Sequence, residues 1–307
     1  MSARAPQPLE LWLPALSRFD PAHPLRRLLA RADSAGEGPR GYLAGLDGYF
    51  RCDVRPLPAA ALTRECIAGD AADAVWLSAD PAWVQPDLNG VRLLACGQLQ
   101  LSRGEAAALA APLKPLFGDA GMLLELSTPD RWHLRLPPGS PLPDFAAPEQ
   151  ALGEDLLQHL PQGNEGRRWR VLLNDVQVML HQHPVNEARR TRGLAPVNSL
   201  WLWGGGRLPA QVRSELGGVI GDDLLLVALA ARAKSLQLPC TLEHVAAARP
   251  GWLVDLQDMP VNDLASTWWP VLERLSRQQA LRLSFASGER WHWQPWQRWR
   301  FWRRGRA

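Results

Sequence analysis

Apolar and polar positions alternate with different periods along the chain, and the changes of period predict its elements. In AADAVWLSADPAWV (71–84) the apolar run predicts a strand over 73–78, stopped at Asp80-Pro81, and VRLLACGQLQL (91–101) predicts a second. Ser102 then stands where an N-cap belongs, with Glu105 three residues on, opening a helix over GEAAALAAPLKPLF that ends near Pro112 and Pro115. GMLLELSTPDRWHLRLP (121–137) reads as a hairpin with a Thr-Pro-Asp turn, and His133 is expected on the strand surface. The stretch 137–166 is rich in Pro, Gly, Asp and Gln around one short helix, EQALGEDLLQHL. Beyond it, helix and strand alternate. A helix over VLLNDVQVMLHQHPVNEARRTRG breaks or kinks at Pro184 and leads to the strand SLWLW (199–203). Asp222 and Asp223 favour a helix start in GDDLLLVALAARAKSLQL. The strand GWLVDL, the helix VNDLASTWWPVLERLSRQQ and the hairpin LRLSFASGERWHW follow, with Trp268-Trp269 filling core. The first 50 residues give no clear period.

This pattern predicts an α/β layered protein. Residues 1–145 form an N-terminal region that includes a small α+β domain. Residues 165–307 form the α/β core domain with a basic, tryptophan-rich tail.

Composition narrows the class. With 46% hydrophobic and 21% charged residues the chain is globular, and no apolar run is long enough to span a bilayer. Prolines interrupt the N-terminus where a signal peptide needs an unbroken apolar stretch, so cytoplasmic residence is expected. The four cysteines form no C-x-x-C pair, which points to buried or idle thiols. Net charge is +3, yet residues 290–307 alone carry six arginines and no acid, so the rest of the chain is net acidic.

Three stretches offer chemistry. PVNSLWLWGGGRLP (196–209) ends a strand in glycines, which either expose backbone N–H groups to an anion or make a tight turn. It matches neither nucleotide-binding glycine motif. In HQHPVNEARRTRG, His181 and His183 are two apart and cannot grip one metal from a helix, whereas the arginines suit a phosphate or a solvated face. In the tail, Trp296, Trp299 and Trp302 fall on one helical stripe beside Arg300, Arg303 and Arg304. That mixture suits single-stranded nucleic acid, an anionic surface, or packing on the core.

HPVNEARRTRGLAPVNSLWLWGGGRLP resembles a segment of the archaeal-type cofactor-independent phosphoglycerate mutases. SADPAWVQPDLNGVRLL, LQLSRGEAAALAAPL and DRWHLRL extend the similarity over roughly 70–260. Over its whole length the chain looks closer still to the short bacterial RpfE-type regulatory proteins. The resemblance implies an alkaline-phosphatase-like, mutase-like layered α/β core with a smaller α+β domain inserted into it. It also implies an anion pocket built from Asn186, Arg189, Asn198 and Arg207, with Gly204, Gly205 and Gly206 supplying backbone donors.

The departures matter. The family's Asp-Gly-x-x-Asp metal-binding start is reduced to LDGYF, no serine matches the family's nucleophile, and LVDLQDMPVND is followed by no metal-binding histidine. Asp47, Asp255 and Asp258 remain as metal candidates. The resemblance therefore implies a non-catalytic, mutase-like regulatory or interaction protein without a cofactor, whose partner is a protein or a phosphorylated small molecule. A metal-dependent mutase or phosphatase is the alternative. Nucleic-acid binding through the tail is the second.

Overall fold

β1 (Leu9–Leu13) is the centre of a seven-stranded sheet, although Glu10 interrupts its apolar run. The computed structural model describes residues 7–87 and 90–303. The chain divides into two units, one from the described parts of Met1–Cys52 and Gln211–Ala307, the other Asp53–Ala210.

In the first unit the sheet adds β2 (Asp33–Glu37), β10 (Gly218–Ile220), β11 (Leu236–Leu238), β12 (Trp252–Asp255), β13 (Leu281–Phe285) and β14 (Glu289–Trp293), in the order β11-β10-β12-β1-β13-β14-β2. The strands from β11 to β13 run parallel, and β14 and β2 close one edge antiparallel. Leu9, Leu11 and Leu13 share a core with Leu25, Leu28 and Leu29 of helix Pro24–Arg31 and with Leu272 and Leu275 of helix Trp269–Gln278. On the opposite side of β1, Trp12 stacks on Tyr42 of helix Tyr42–Tyr49, ring centroids 5.1 Å apart. The helix expected over 261–279 is interrupted by a π turn at Leu264–Trp268, just before Pro270, whose missing N–H cannot continue the ladder. A separate ribbon pairs β3 (Phe50–Cys52) with β9 (Val212–Ser214).

The second unit is α+β. Its antiparallel sheet contains β4 (Val75–Asp87), β5 (Gly90–Cys96), β6 (Leu123–Thr128), β7 (Arg131–Leu136) and β8 (Ser199–Arg207). β4 does not stop at Asp80-Pro81. Along one edge it pairs with β8, and along the other with β7 over 75–78 and then with β5 over 82–87. Pro81 lies in the gap between those two pairings. Its carbonyl accepts the Gly97 N–H at 2.9 Å, so its nitrogen faces the same gap and no ladder bond is lost.

Ser102 and Glu105 form the expected capping box. The chain turns at Pro184, where His183 caps helix Pro184–Thr191 by accepting the Val185 N–H at 3.2 Å. His23 starts helix Pro24–Arg31 in the same way.

Two expectations are corrected. The inserted α+β unit is no smaller than the unit it interrupts. The stretch 137–166, expected as a domain boundary or long connection, lies inside the inserted unit, where Leu152 and Asp155 bridge to Leu93 and Arg92 of β5 and so fasten the segment to its sheet.

Candidate functional site

The glycines of β8 answer to packing. A Cβ on Gly204 would lie 2.8 Å from the Ala59 Cβ, and one on Gly206 would lie 2.8 Å from the Pro58 Cβ. The start of helix Ala59–Ala68 therefore presses directly on the strand. Gly204 also has φ +63°, a conformation that favours glycine.

The neighbouring candidates are bound to backbone. The Asn186 amide donates to the Leu180 and Val197 carbonyls and accepts the Val197 N–H, all at 2.8 Å. Asn198 accepts the Val84 N–H at 2.8 Å and donates to the Val84 carbonyl at 2.7 Å, clasping β4. Arg189 is fully buried and donates to the Ala195 and Leu99 carbonyls at 2.8 and 2.6 Å, with Glu105 at 3.4 Å. Arg207 is exposed. The geometry makes Asn186, Arg189 and Asn198 clasps of the unit's own chain, correcting the expected anion pocket.

His133 is also corrected, since it is fully buried. Thr63 Oγ1 and Ser127 Oγ hold its two ring nitrogens at 2.9 and 2.7 Å. Burial, followed by the charges of Arg131 and Arg64, lowers its pKa to about 3, so it is neutral and not a base near pH 7.

In the first unit, the carboxyl ends of the parallel strands gather groups that lie far apart in sequence. This is the end at which layered α/β proteins bind ligands. Asp223 caps helix Leu224–Arg232 by accepting the Leu225 and Leu226 N–H groups at 2.9 and 3.0 Å. The same Oδ1 accepts the Tyr42 hydroxyl at 2.7 Å, and that hydroxyl lies 3.4 Å from Asp255 Oδ2. Asp255 closes β12, and its Oδ1 accepts the backbone and side-chain N–H groups of Gln257 at 3.2 and 3.3 Å.

Electrostatics follow from burial. Asp255 is pushed up to about 7, chiefly by burial, with Asp223 and Asp258 adding to the rise against the Gln257 hydrogen bonds. Asp258 is raised by burial and by Asp223, with Arg18 opposing. Burial, then Asp223 and Asp255, push the Tyr42 phenol well above its usual range, so it remains a donor. Cys240 is lifted to about 12 by burial and by Asp222 and Asp255, which leaves a protonated thiol rather than a nucleophile.

Burial thus sets Asp255 apart as a carboxyl whose pKa is pushed up to about 7. Of the metal candidates, Asp255 and Asp258 come together with Asp223, which the sequence marked only as a helix start. Asp47 sits elsewhere on the Tyr42 helix and is not among the main charges acting on Asp255. Among the described residues no three His, Cys, Asp or Glu side chains are arranged to hold a metal ion. With Asp223 and Asp255 engaged by Tyr42, backbone and Gln257, this set does not fit a two-metal centre.

The tail forms a 3-10 turn, Pro295–Trp299, rather than a continuous helix. Gln297 is buried and donates to Asp33 Oδ2 at 2.7 Å, while Arg300 and Arg303 reach Asp33 Oδ1 at 2.6 and 2.8 Å. Trp296, Trp299 and Trp302 are 57%, 64% and 66% exposed, so they are not core. Arg300 lies over the Trp296 ring at 4.4 Å and Arg298 over Trp299 at 5.1 Å. Arg304 lies outside the described residues.

No protein-family model matches the chain. A 62-residue segment is 40% identical to the probable 2,3-bisphosphoglycerate-independent phosphoglycerate mutase of Geobacter sulfurreducens, covering 20% of this chain and 16% of that protein. A 100-residue segment is 33% identical to 2,3-bisphosphoglycerate-independent phosphoglycerate mutase 2 of Methanothermobacter thermautotrophicus, covering 32% and 24%. The matches thus span less than a quarter of these relatives' length. Among solved structures, the cofactor-independent phosphoglycerate mutase of Thermoplasma acidophilum aligns with TM-score 0.43 at 13% identity over 94% of this chain and 90% of that one. A Pyrococcus horikoshii protein aligns with TM-score 0.47 at 10% identity over 94% and 88%. By the sequence matches, the chain carries segments homologous to phosphoglycerate mutases.

Proposed function

We propose that the protein is a non-catalytic relative of the phosphoglycerate mutases, of the RpfE regulatory type, that acts by binding and not by turnover. One observation carries this reading. The ligand end of the parallel sheet is occupied by Asp223, Asp255 and Asp258 around a protonated Tyr42, with Arg18 as the cation acting on Asp258. A phosphorylated substrate brought there meets three carboxyl groups, and the donors beside them, Tyr42 and Arg18, already face Asp223 and Asp258. Cytoplasmic residence belongs with this reading; among the described residues no helix is long and apolar enough to cross a membrane. With 3-phosphoglycerate and Mn²⁺, Co²⁺ or Zn²⁺, no 2-phosphoglycerate is expected to form above the buffer rate. Turnover that disappears in Asp255→Asn overturns the reading in favour of a metal-dependent mutase.

The tail favours a second reading. Trp296, Trp299, Phe301 and Trp302 stand exposed together with arginines over two of the rings, a surface suited to stacking on single-stranded bases. Fluorescence anisotropy with a short oligo(dT) is expected to show affinity that falls steeply with salt, and Trp299→Ala weakens it about 10-fold. Salt-independent binding, or binding unchanged in that variant, rules this surface out.

A further inference from the structure

At the opposite, amino ends of the parallel strands lies a cavity of about 510 Å³, within the range of small-ligand sites. Four arginines line it: Arg51, Arg213, Arg282 and Arg290. Two of them face each other. In the β3–β9 ribbon Arg51 is the register partner of Arg213, so both side chains leave the same face about 5 Å apart at their Cβ atoms. Like charges directly opposed across two strands destabilise the pair. The flanking partners show why the ribbon keeps this register: Phe50 and Val212 are buried on its other side, which leaves residues 51 and 213 facing the cavity.

Their charge is only partly compensated. Arg51 and Arg290 enter no ion pair among the described residues, and Arg213 donates to the neutral amide of Gln211 at 2.8 Å. Among the described residues Arg282 pairs with Glu10 at 3.3 Å, and the Arg290 charge also acts on that carboxylate. Glu10 is itself buried and takes further hydrogen bonds from Ser284, at 2.5 Å, and from Tyr49. Burial raises its pKa, against the opposing Ser284 and Tyr49 hydrogen bonds and the charges of Arg282 and Arg290. Glu215 is the other acid on the lining and receives the Gln7 amide at 3.4 Å. Trp252 supplies an aromatic wall.

We propose that this cavity binds a small phosphate-bearing ligand with at least two negative charges, its oxygens bridging Arg51 and Arg213 with Arg290 as a third donor. The planar guanidinium fork matches phosphate oxygens, and a bridging anion removes the cross-strand repulsion. The site is separate from the Asp255 cluster, so the outcome does not depend on whether the protein turns over phosphoglycerate.

Thermal unfolding of the full chain, with pyrophosphate as probe at constant ionic strength, tests the proposal. Saturating pyrophosphate is expected to raise the wild-type Tm by about 5–10 °C, and Arg290→Ala to remove most of that shift. Arg51→Gln is expected to raise the Tm of the anion-free protein by about 1–3 °C while abolishing the response, an opposite pair of effects that a purely structural arginine does not give. The proposal is overturned by an equal pyrophosphate shift in Arg51→Gln and wild type, by a shift that NaCl reproduces, or by no shift at all. An equal shift from citrate overturns the phosphate assignment.

Discussion

Replacing Arg189 with alanine is expected to destabilise the inserted unit by about 3–5 kcal/mol, a loss typical of truncating one partner of a buried charge network. Arg189 has no exposed surface, and its guanidinium is the donor for the Leu99 and Ala195 carbonyls and the ion-pair partner of Glu105. Without it, two carbonyls and part of a carboxylate are left without that donor, at a cost well above the worth of the bonds themselves. Glu105 shows how strongly the site favours its charge. Burial alone raises its pKa, yet Ser102, Arg192 and Arg189 together bring it down to about 2. Its contribution is therefore present above the unfolded carboxylate range and is lost as pH falls toward 2. Arg189→Lys keeps the charge without the fork and is expected to fall between wild type and alanine. Urea unfolding followed by tryptophan fluorescence measures all three. A loss below about 1 kcal/mol for Arg189→Ala contradicts the clasp and revives a ligand-binding role for this arginine.

The second large effect has the opposite pH dependence. Asp255 titrates near 7 in the folded protein because it is buried beside Asp223 and Asp258. In the unfolded chain an aspartate titrates near 4. Between these values the folded state holds a proton that the unfolded state has released, so this group's contribution is complete below about pH 4 and is lost as pH rises through 7. The separation corresponds to about 4 kcal/mol as an upper bound. Asp255→Asn keeps an acceptor for Gln257 and cannot ionise. Relative to wild type it is expected to gain stability steadily between pH 4 and 7 and to be more stable by up to about 4 kcal/mol at pH 8. Glu10 and Glu105 titrate in both proteins and cancel in the difference between the two stability curves, which reports Asp255 together with its coupled neighbours Asp223 and Asp258. Parallel curves would show that Asp255 is ionised throughout and is held by a partner other than Tyr42.

Local chemistry was readable along the chain. The Ser102–Glu105 capping box, the hairpin around Thr128–Arg131 and the break at Pro184 each depend on residues within a few positions of one another. The segmental similarity to phosphoglycerate mutases was visible in the same way. Period-based reading failed where burial overrides the pattern. β1 carries Glu10 inside its apolar run, and its central place depends on pairing with β12 and β13, more than 240 residues downstream. β4 runs through Pro81 because its neighbours change there, which no signal in β4 itself reveals.

By itself, the sequence determined the helix caps, the hairpins, the glycine-lined β8 and the tail's tryptophans and arginines, because these follow from near neighbours and from residue type. Only the tertiary structure decided their roles. It made Asn186, Arg189 and Asn198 clasps, turned the tail's tryptophans outward, and set Tyr42 between Asp223 and Asp255 across sequence separations of 181 and 213 residues. It also opposed Arg51 to Arg213. The physical reason is common to all of these: whether a charge is neutralised, desolvated or left for a ligand depends on the groups packed around it, and most of those lie far away along the chain.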